Sequence, residues 1–270
     1  MTEGNREREN GPPSSASLCL PAGYRQRERN ETHDEARDSS YWAPWRVEAS
    51  GKYQRHVYLW ARDLIVRERL WSVLDLGCGV ATKLREIIRP VCDDITAVDQ
   101  PNAIAAARSL GTDADLIEMN LEMPAATLGR TFDVILCADV LEHLLDPDPA
   151  LALIRSACHE KTRVLLSTPD RRRRRGRACM QSDKPEHVRE WSAAEFARYA
   201  RTRGLKVETR RMLPQDDSPA SAHRISELLW RLRLGERSGL ACTTLLCRLD
   251  PSAMTGGVAG ASADGARQAA

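Results

Sequence analysis

Three side chains able to hold a proton or a cation stand close together in this 270-residue sequence, and a fourth follows downstream. Asp139, Glu142 and His143 fall within "DVLEH", and His187 follows in "KPEHVREW". Spacing of i to i+3 on a helical turn places Asp139 and Glu142 on one face. Two chemistries are open to such a group. His143 can act as general base toward a hydroxyl, oriented by a neighbouring carboxylate such as Glu142. Alternatively Asp139, Glu142, His143 and His187 can bind one divalent ion, and an oxygen-rich set with imidazole suits Mg²⁺ or Mn²⁺. On a third reading Glu142 and His143 merely cap a helix and shape a pocket.

A second constellation lies upstream, in "SVLDLGCGVATKL" (72–84). An apolar run ends at Asp75, and Cys78 sits between Gly77 and Gly79 before a helical stretch. A dinucleotide site would place a third glycine where Thr82 stands, and a P-loop would place glycine before Lys83. Neither condition is met. Asp75 would repel a diphosphate but suits a cationic ligand. Asp99, 22 positions after Gly77 (99 − 77), can accept from two ribose hydroxyls. A ligand with a ribose, a positive centre and no phosphate fits S-adenosylmethionine.

The elements that must position these residues alternate along the chain. Apolar strands are expected at 72–76, 94–99, 114–120, 132–138 and 163–168, with helices at 51–69, 81–88, 103–110 and 149–158. A helix at 192–204, a strand at 205–210, a helical piece at 221–235 and a strand at 242–249 complete the pattern. Strands apolar throughout and separated by helices predict an α/β fold, Rossmann-like and doubly wound. Its mostly parallel sheet of seven strands should have helices on both faces. Ligands in such folds lie beyond the carboxyl ends of the strands, where the glycine turn and "DVLEH" both fall.

"VLDLGCG" followed by "AVDQ", with "FDVILCADVLEHLLDP" and "LLSTPDR" in order, resembles the motifs of class I S-adenosylmethionine-dependent methyltransferases. "DVLEHL", "STP" and "HVREWSAAEF" are most similar to the branch of ubiquinone-pathway and glycan-cluster methyltransferases. The resemblance spans about residues 41–249. It implies that Asp75, Gly77, Cys78 and Gly79 line the methionine end of the cofactor. It also implies that Asp99 binds the ribose, Gln100 lies beside the adenine, and Asn120 and Leu121 flank the base. Relatives often carry Asp where this chain has Asn120. Enzymes that methylate RNA 3′ ends at the 2′-oxygen share an acid, two residues, then Glu-His. This chain departs from them in Asp139 and in lacking a second His after His143.

The run "DRRRRRGR" (170–177) is either a solvated loop or a device that steers an anionic acceptor. Aromatic residues for base stacking are scarce near it, Trp191 excepted, which favours a phosphorylated or carboxylated small molecule over nucleic acid. With 40 basic and 38 acidic residues, net charge does not point to nucleic acid either. The eight cysteines include no CxxC pair and read as buried thiols of a reducing compartment. No apolar stretch is long enough to span a membrane, and a cytoplasmic protein is expected. Residues 1–40 have the composition of a flexible leader and 251–270 that of a disordered tail. The catalytic domain is expected over 41–250, with a helical insertion near 212–240. Tyr41, Trp42, Trp45 and Tyr53 are expected to form a partial lid.

The reaction expected is O-methylation of a small-molecule or glycan-type acceptor, anionic acceptors included. A metal-dependent RNA 2′-O-methyltransferase and a non-catalytic cofactor-binding scaffold are the alternatives.

Overall fold

Because strands β1 (Ser72–Leu76), β2 (Asp94–Asp99), β4 (Phe132–Ala138) and β5 (Cys158–Pro169) are apolar on both faces, each must be covered on both sides. In the computed structural model they form the middle of a seven-stranded sheet with β3 (Asp115–Glu118), β6 (Leu205–Pro214) and β7 (Ala241–Leu249). The order is β3-β2-β1-β4-β5-β7-β6, with β7 antiparallel to both neighbours and the remaining pairs parallel. Chain order reverses between β1 and β4, and both candidate constellations follow these two strands. The structure describes residues 13–30, 39–123, 127–219 and 241–253, with 222, 225, 228, 229 and 232 between the last two stretches.

Two apolar layers flank the sheet. One is built on α2 (Arg55–Glu68), whose Val57, Tyr58, Ala61, Leu64 and Ile65 recur at helical spacing, joined by Ile104 of α3 (Pro101–Ser109). The other is built on α4 (Asp148–Ser156) and α6 (Ala193–Thr202). The amphipathic α6 begins at a reciprocal Ser192–Glu195 capping box.

Several boundaries differ from expectation. The single helix expected over 51–69 is two, α1 (Pro44–Lys52) and α2, because Gln54 takes a left-handed conformation (φ 57°) between them. The helix expected at 81–88 is wound in part as a π-turn, Leu84–Ile88. Strand β6 continues to Pro214, so the start of the expected insertion at 212 belongs to the sheet. Of the helical piece at 221–235, Ala222, Ile225, Leu228 and Leu229 are helical, and most of the rest lies outside the described residues.

The expected flexible leader needs correction over 13–30. Leu18, Leu20 and Tyr24 are buried in the layer that contains Trp191 and Tyr199. Trp191 Nε1 donates to the carbonyl of Leu18 at 2.8 Å, and Arg25 and Arg27 donate backbone N–H to Met180 and Val188. Four apolar positions in "LCLPAGY" suffice to dock the segment, although the charged residues around them hide it in composition. Residues 1–12, 31–38 and 254–270 lie outside the described residues.

Candidate active site

The turn after β1 is possible only because two of its residues lack a side chain. Gly77 adopts φ +80°, and a Cβ there would stand 2.3 Å from Cγ2 of Val140. Gly79 adopts φ +58°, with the ring of Trp42 3.3 Å from where its Cβ would be. Gly77 N–H donates to Val98 O at 2.8 Å, and Gly79 N–H donates to Asp99 Oδ2 at 2.7 Å. The other Asp99 oxygen accepts from Gln100 N–H at 2.7 Å. The acid ending β2 thus clamps the turn ending β1, while each of its oxygens keeps a second lone pair. Burial raises the Asp99 pKa, and the two N–H donors oppose the rise.

Two adjoining cavities open on this turn. One, of about 610 Å³, is lined by Gly77, Gly79, Asp99, Gln100, Asn120 and Leu121 among others. The second, of about 560 Å³, is lined by Cys78, Lys83, Glu142, His187 and Gln215 among others. Trp42, Gly77, Gly79, Asp139 and His143 border both. Tyr41, Trp42, Trp45 and Tyr53 all border the second cavity, and Tyr41 and Trp42 the first as well, although Trp45 and Tyr53 keep much of their surface exposed.

Of the eight residues expected to hold a cofactor, seven line these cavities. Asp75 does not. It is fully buried behind the wall, where Tyr58 Oη donates to its Oδ2 at 2.7 Å and its Oδ1 has no partner. Burial pushes its pKa up to about 7, opposed by Tyr58 and by the charge of Lys83. Cys78 is a buried thiol, pushed well above its usual range by burial and then by the charges of Asp99 and Asp75. That places it among space-filling cysteines.

The "DVLEH" and "HVREW" stretches meet across the second cavity. Backbone N–H groups of Val188 and Arg189 donate to Glu142 O, at 2.9 and 3.4 Å. Arg189 is buried, and its guanidinium donates to the carbonyls of Leu144 and Leu145, each at 2.6 Å. This brings Glu142, His143 and His187 together, with one ligating atom of each within 4.8 Å of the others. The two imidazole rings meet edge to face, with centroids 4.8 Å apart.

Each of the three keeps an atom to spare. His143 Nδ1 lies 2.9 Å from Glu186 O, an acceptor, so Nδ1 carries the proton and Nε2 the lone pair. His187 Nδ1 is likewise engaged by Glu190 Oε1 at 2.7 Å. Glu142 Oε2 accepts from Thr168 at 3.2 Å, and its buried Oε1 has no partner. Burial, then the charge of Asp139, raises the Glu142 pKa well above the carboxylate range. Burial and then His187 push the His143 pKa down to about 3, so its ring is neutral at physiological pH.

Asp139, expected as a fourth ligand, is held elsewhere. Its Oδ1 accepts from Ser167 at 2.6 Å, and its Oδ2 from Gln54 at 3.1 Å, with Cys242 and Gln215 beside it. It adopts φ +54°, a strained conformation, and borders both cavities without joining the trio. The helical spacing of 139 and 142 failed because the chain does not continue as a helix there.

Sequence reasoning did not single out Gln54, Gln215, Lys83 or Glu190. Lys83 is buried and lines the second cavity. It donates to Ser50 O at 2.8 Å, and its ammonium lies 5.0 Å from the ring centre of Tyr58. Only its place six residues past Gly77, in the first turn of the helical segment after the glycine turn, hinted at this role.

The arginine run is neither a loop nor uniformly solvated. Arg171–Arg175 form a short helix, α5, capped by Asp170. Arg171 is buried, and its Nη2 donates to both oxygens of Glu195 at 2.7 Å. Arg175 pairs with Glu190 at 2.7 and 2.8 Å, and Arg174 donates to Gln215 at 2.7 Å.

The sequence pattern of a methyltransferase domain family matches residues 31–210. The ubiquinone biosynthesis O-methyltransferase of Pseudomonas aeruginosa (strain UCBPP-PA14) is 36% identical over 109 residues, 37% of this chain and 45% of that protein. The match therefore spans less than half of that relative's length. Among solved structures, an S-adenosylmethionine-dependent methyltransferase from Clostridium acetobutylicum ATCC 824 superposes with a TM-score of 0.54 at 15% identity. It covers 76% of this chain and 94% of that one. The N-methyltransferase NodS from Bradyrhizobium japonicum WM9, in complex with S-adenosyl-L-homocysteine, gives 0.54 at 16% identity, covering 82% and 98%. No helix among the described residues is long and apolar enough to cross a membrane.

Proposed function

The chain belongs to the methyltransferase domain family and is a class I S-adenosylmethionine-dependent methyltransferase; on that premise we propose that it methylates an oxygen of a small acceptor. The observation that carries this reading is the pair of cavities sharing the glycine turn, one bordered by Asp99 and the other by Glu142, His143 and His187. In this reading the nucleoside occupies the first cavity, with its ribose hydroxyls on the free lone pairs of Asp99. The methionine end crosses Gly77 and Gly79, and its carboxylate meets the Lys83 ammonium.

Methyl transfer from a sulfonium is a direct displacement, so the protein's work is to align acceptor oxygen, methyl carbon and sulfur. A hydroxyl acceptor must also lose its proton. Glu142, His143 and His187 supply the place for that. One ligating atom of each lies within 4.8 Å of the others, and Glu190 and the Glu186 carbonyl hold the two rings from behind.

The trio also fits a divalent cation: two imidazoles, an orphaned carboxylate oxygen, and carboxylate and carbonyl groups holding the outer nitrogens. With Asp139 engaged elsewhere, the donor set shifts from oxygen-rich toward nitrogen, and the preference from Mg²⁺ toward Mn²⁺ or Zn²⁺. Such an ion would make a bound hydroxyl more acidic. The O-methyltransferase activity named for the Pseudomonas relative supports oxygen as the acceptor atom.

The test is label transfer from methyl-tritiated S-adenosylmethionine to fractions of a cell lysate, with and without chelator. Label in a small-molecule fraction, lost on Asp99→Ala, supports the reading. Label in RNA would favour the 2′-O-methyl alternative, and no transfer at all the scaffold.

A further inference from the structure

Beyond α5 lies a third cavity, of about 660 Å³, that the methyl-transfer site does not use. Arg172, Arg173, Arg175, Arg177 and Arg210 line it, together with Ser192–Ala194 at the start of α6. The protein treats the two halves of this arginine set differently. Arg175 is taken up by Glu190 and Asp183, as Arg171 beneath it is by Glu195. Arg172, Arg177 and Arg210 are exposed and have no carboxylate partner among the described residues. Asp170, the one acid among the described residues that line the cavity, has both its oxygens taken. Its Oδ1 accepts from Arg173 N–H at 2.8 Å, and its Oδ2 from Ala193 N–H at 2.8 Å and Thr243 Oγ1 at 3.0 Å.

Three guanidiniums gathered in one concave site repel one another and outnumber its single carboxylate, Asp170, which is occupied in capping α5 and α6, so the site keeps a net positive field. Such a site is complementary to a compact anion of at least two charges. Forked N–H donors suit phosphate oxygens, which accept in pairs. No aromatic ring lines the cavity among the described residues, so nothing there would stack a base.

We infer that this cavity binds the diphosphate group of the methyl acceptor, or of the carrier to which the acceptor is attached. The inference rests on the methyl-transfer reading for its purpose. The connection is α5 itself: Arg174 of the same helix lines the methyl-transfer cleft. An α-helix is only about 10–12 Å across with its side chains, so a diphosphate held on one side of α5 leaves the acceptor group within reach of the other.

The test is calorimetry on the full chain with inorganic pyrophosphate, and with S-adenosylhomocysteine in parallel. The variants are R172S/R177S/R210S and its charge-keeping counterpart R172K/R177K/R210K. The expected result is saturable pyrophosphate binding, weakened about tenfold or more in the serine variant and less in the lysine variant. S-adenosylhomocysteine affinity and melting temperature should be unchanged, since all three side chains are exposed. Tighter binding of UDP than of pyrophosphate would support a nucleotide-borne acceptor, and tighter binding of farnesyl diphosphate a lipid-borne one. No pyrophosphate binding by a chain that binds S-adenosylhomocysteine normally would overturn the inference. So would arginine-dependent binding of a single-stranded RNA that pyrophosphate fails to displace. Failure of S-adenosylhomocysteine alone would instead sink the methyl-transfer reading and leave the anion site standing.

Discussion

His187 donates its Nδ1 proton to Glu190 at 2.7 Å, and the same carboxylate receives Arg175 from the arginine helix. Hydrogen bonds from Arg175 and His187 hold the Glu190 pKa well below the carboxylate range despite its burial. Part of a charge run that reads as surface is therefore the rear support of an imidazole in the candidate active site.

Glu190→Gln should weaken Mn²⁺ binding by about tenfold, the usual cost of losing a group behind a metal-bound histidine. Glu142→Gln should remove it almost entirely. Titration followed by electron paramagnetic resonance of free Mn²⁺ would check both, and a wild-type chain that leaves Mn²⁺ free would refute the cation reading.

Gly77→Ala should destabilise the chain by about 1–3 kcal/mol, through both its positive φ and the approach of Val140. Adding Val140→Ala should recover the steric part and leave the backbone part. Urea denaturation of the single and double variants separates the two. Equal stability of the two variants would show that Val140 does not limit the turn.

The buried carboxyl of Asp75 makes the cofactor-free chain sensitive to pH in an unusual direction. Its folded pKa, about 7, lies above the unfolded value near 3.9, so the folded state binds the extra proton between them. Asp75 then costs nothing at low pH and progressively destabilises the fold as pH rises from about 4 to 7, by up to roughly 4 kcal/mol. Subtracting the stability profile of Asp75→Asn from that of wild type should reveal this slope. A flat difference across that range would contradict it.

Lys83→Met should raise the dissociation constant of S-adenosylmethionine by about tenfold, by removing a cation from the carboxylate it is proposed to meet. Adenosine carries no carboxylate and should bind both proteins equally. If adenosine binding fell by the same factor, Lys83 would be supporting the turn instead.

Motif order made much of this site legible, because a strand, a glycine turn and an acid ending the next strand are local features with fixed spacing. Gly77, Gly79 and Asp99 could be placed that way, whereas Gln100, Asn120 and Leu121 were implied only by the resemblance to methyltransferase motifs. What stayed hidden depends on contacts between distant segments. Asp139 leaves the trio because Gln54, 85 positions away, and Ser167 claim its carboxylate. Leu18 docks because Trp191, 173 positions later, offers an indole N–H. Five consecutive arginines look alike in sequence, and only Glu195 and Glu190 decide which of them are buried.

The central claim is that a sulfonium nucleoside lies across the turn that Asp99 clamps. Calorimetric titration of S-adenosylhomocysteine into wild type and Asp99→Ala tests it most directly. One-to-one binding to wild type, weakened about a hundredfold or more in the variant, is the predicted result, since two charge-assisted hydrogen bonds are lost. Equal binding to both proteins, or binding of NAD in place of S-adenosylhomocysteine, would contradict it.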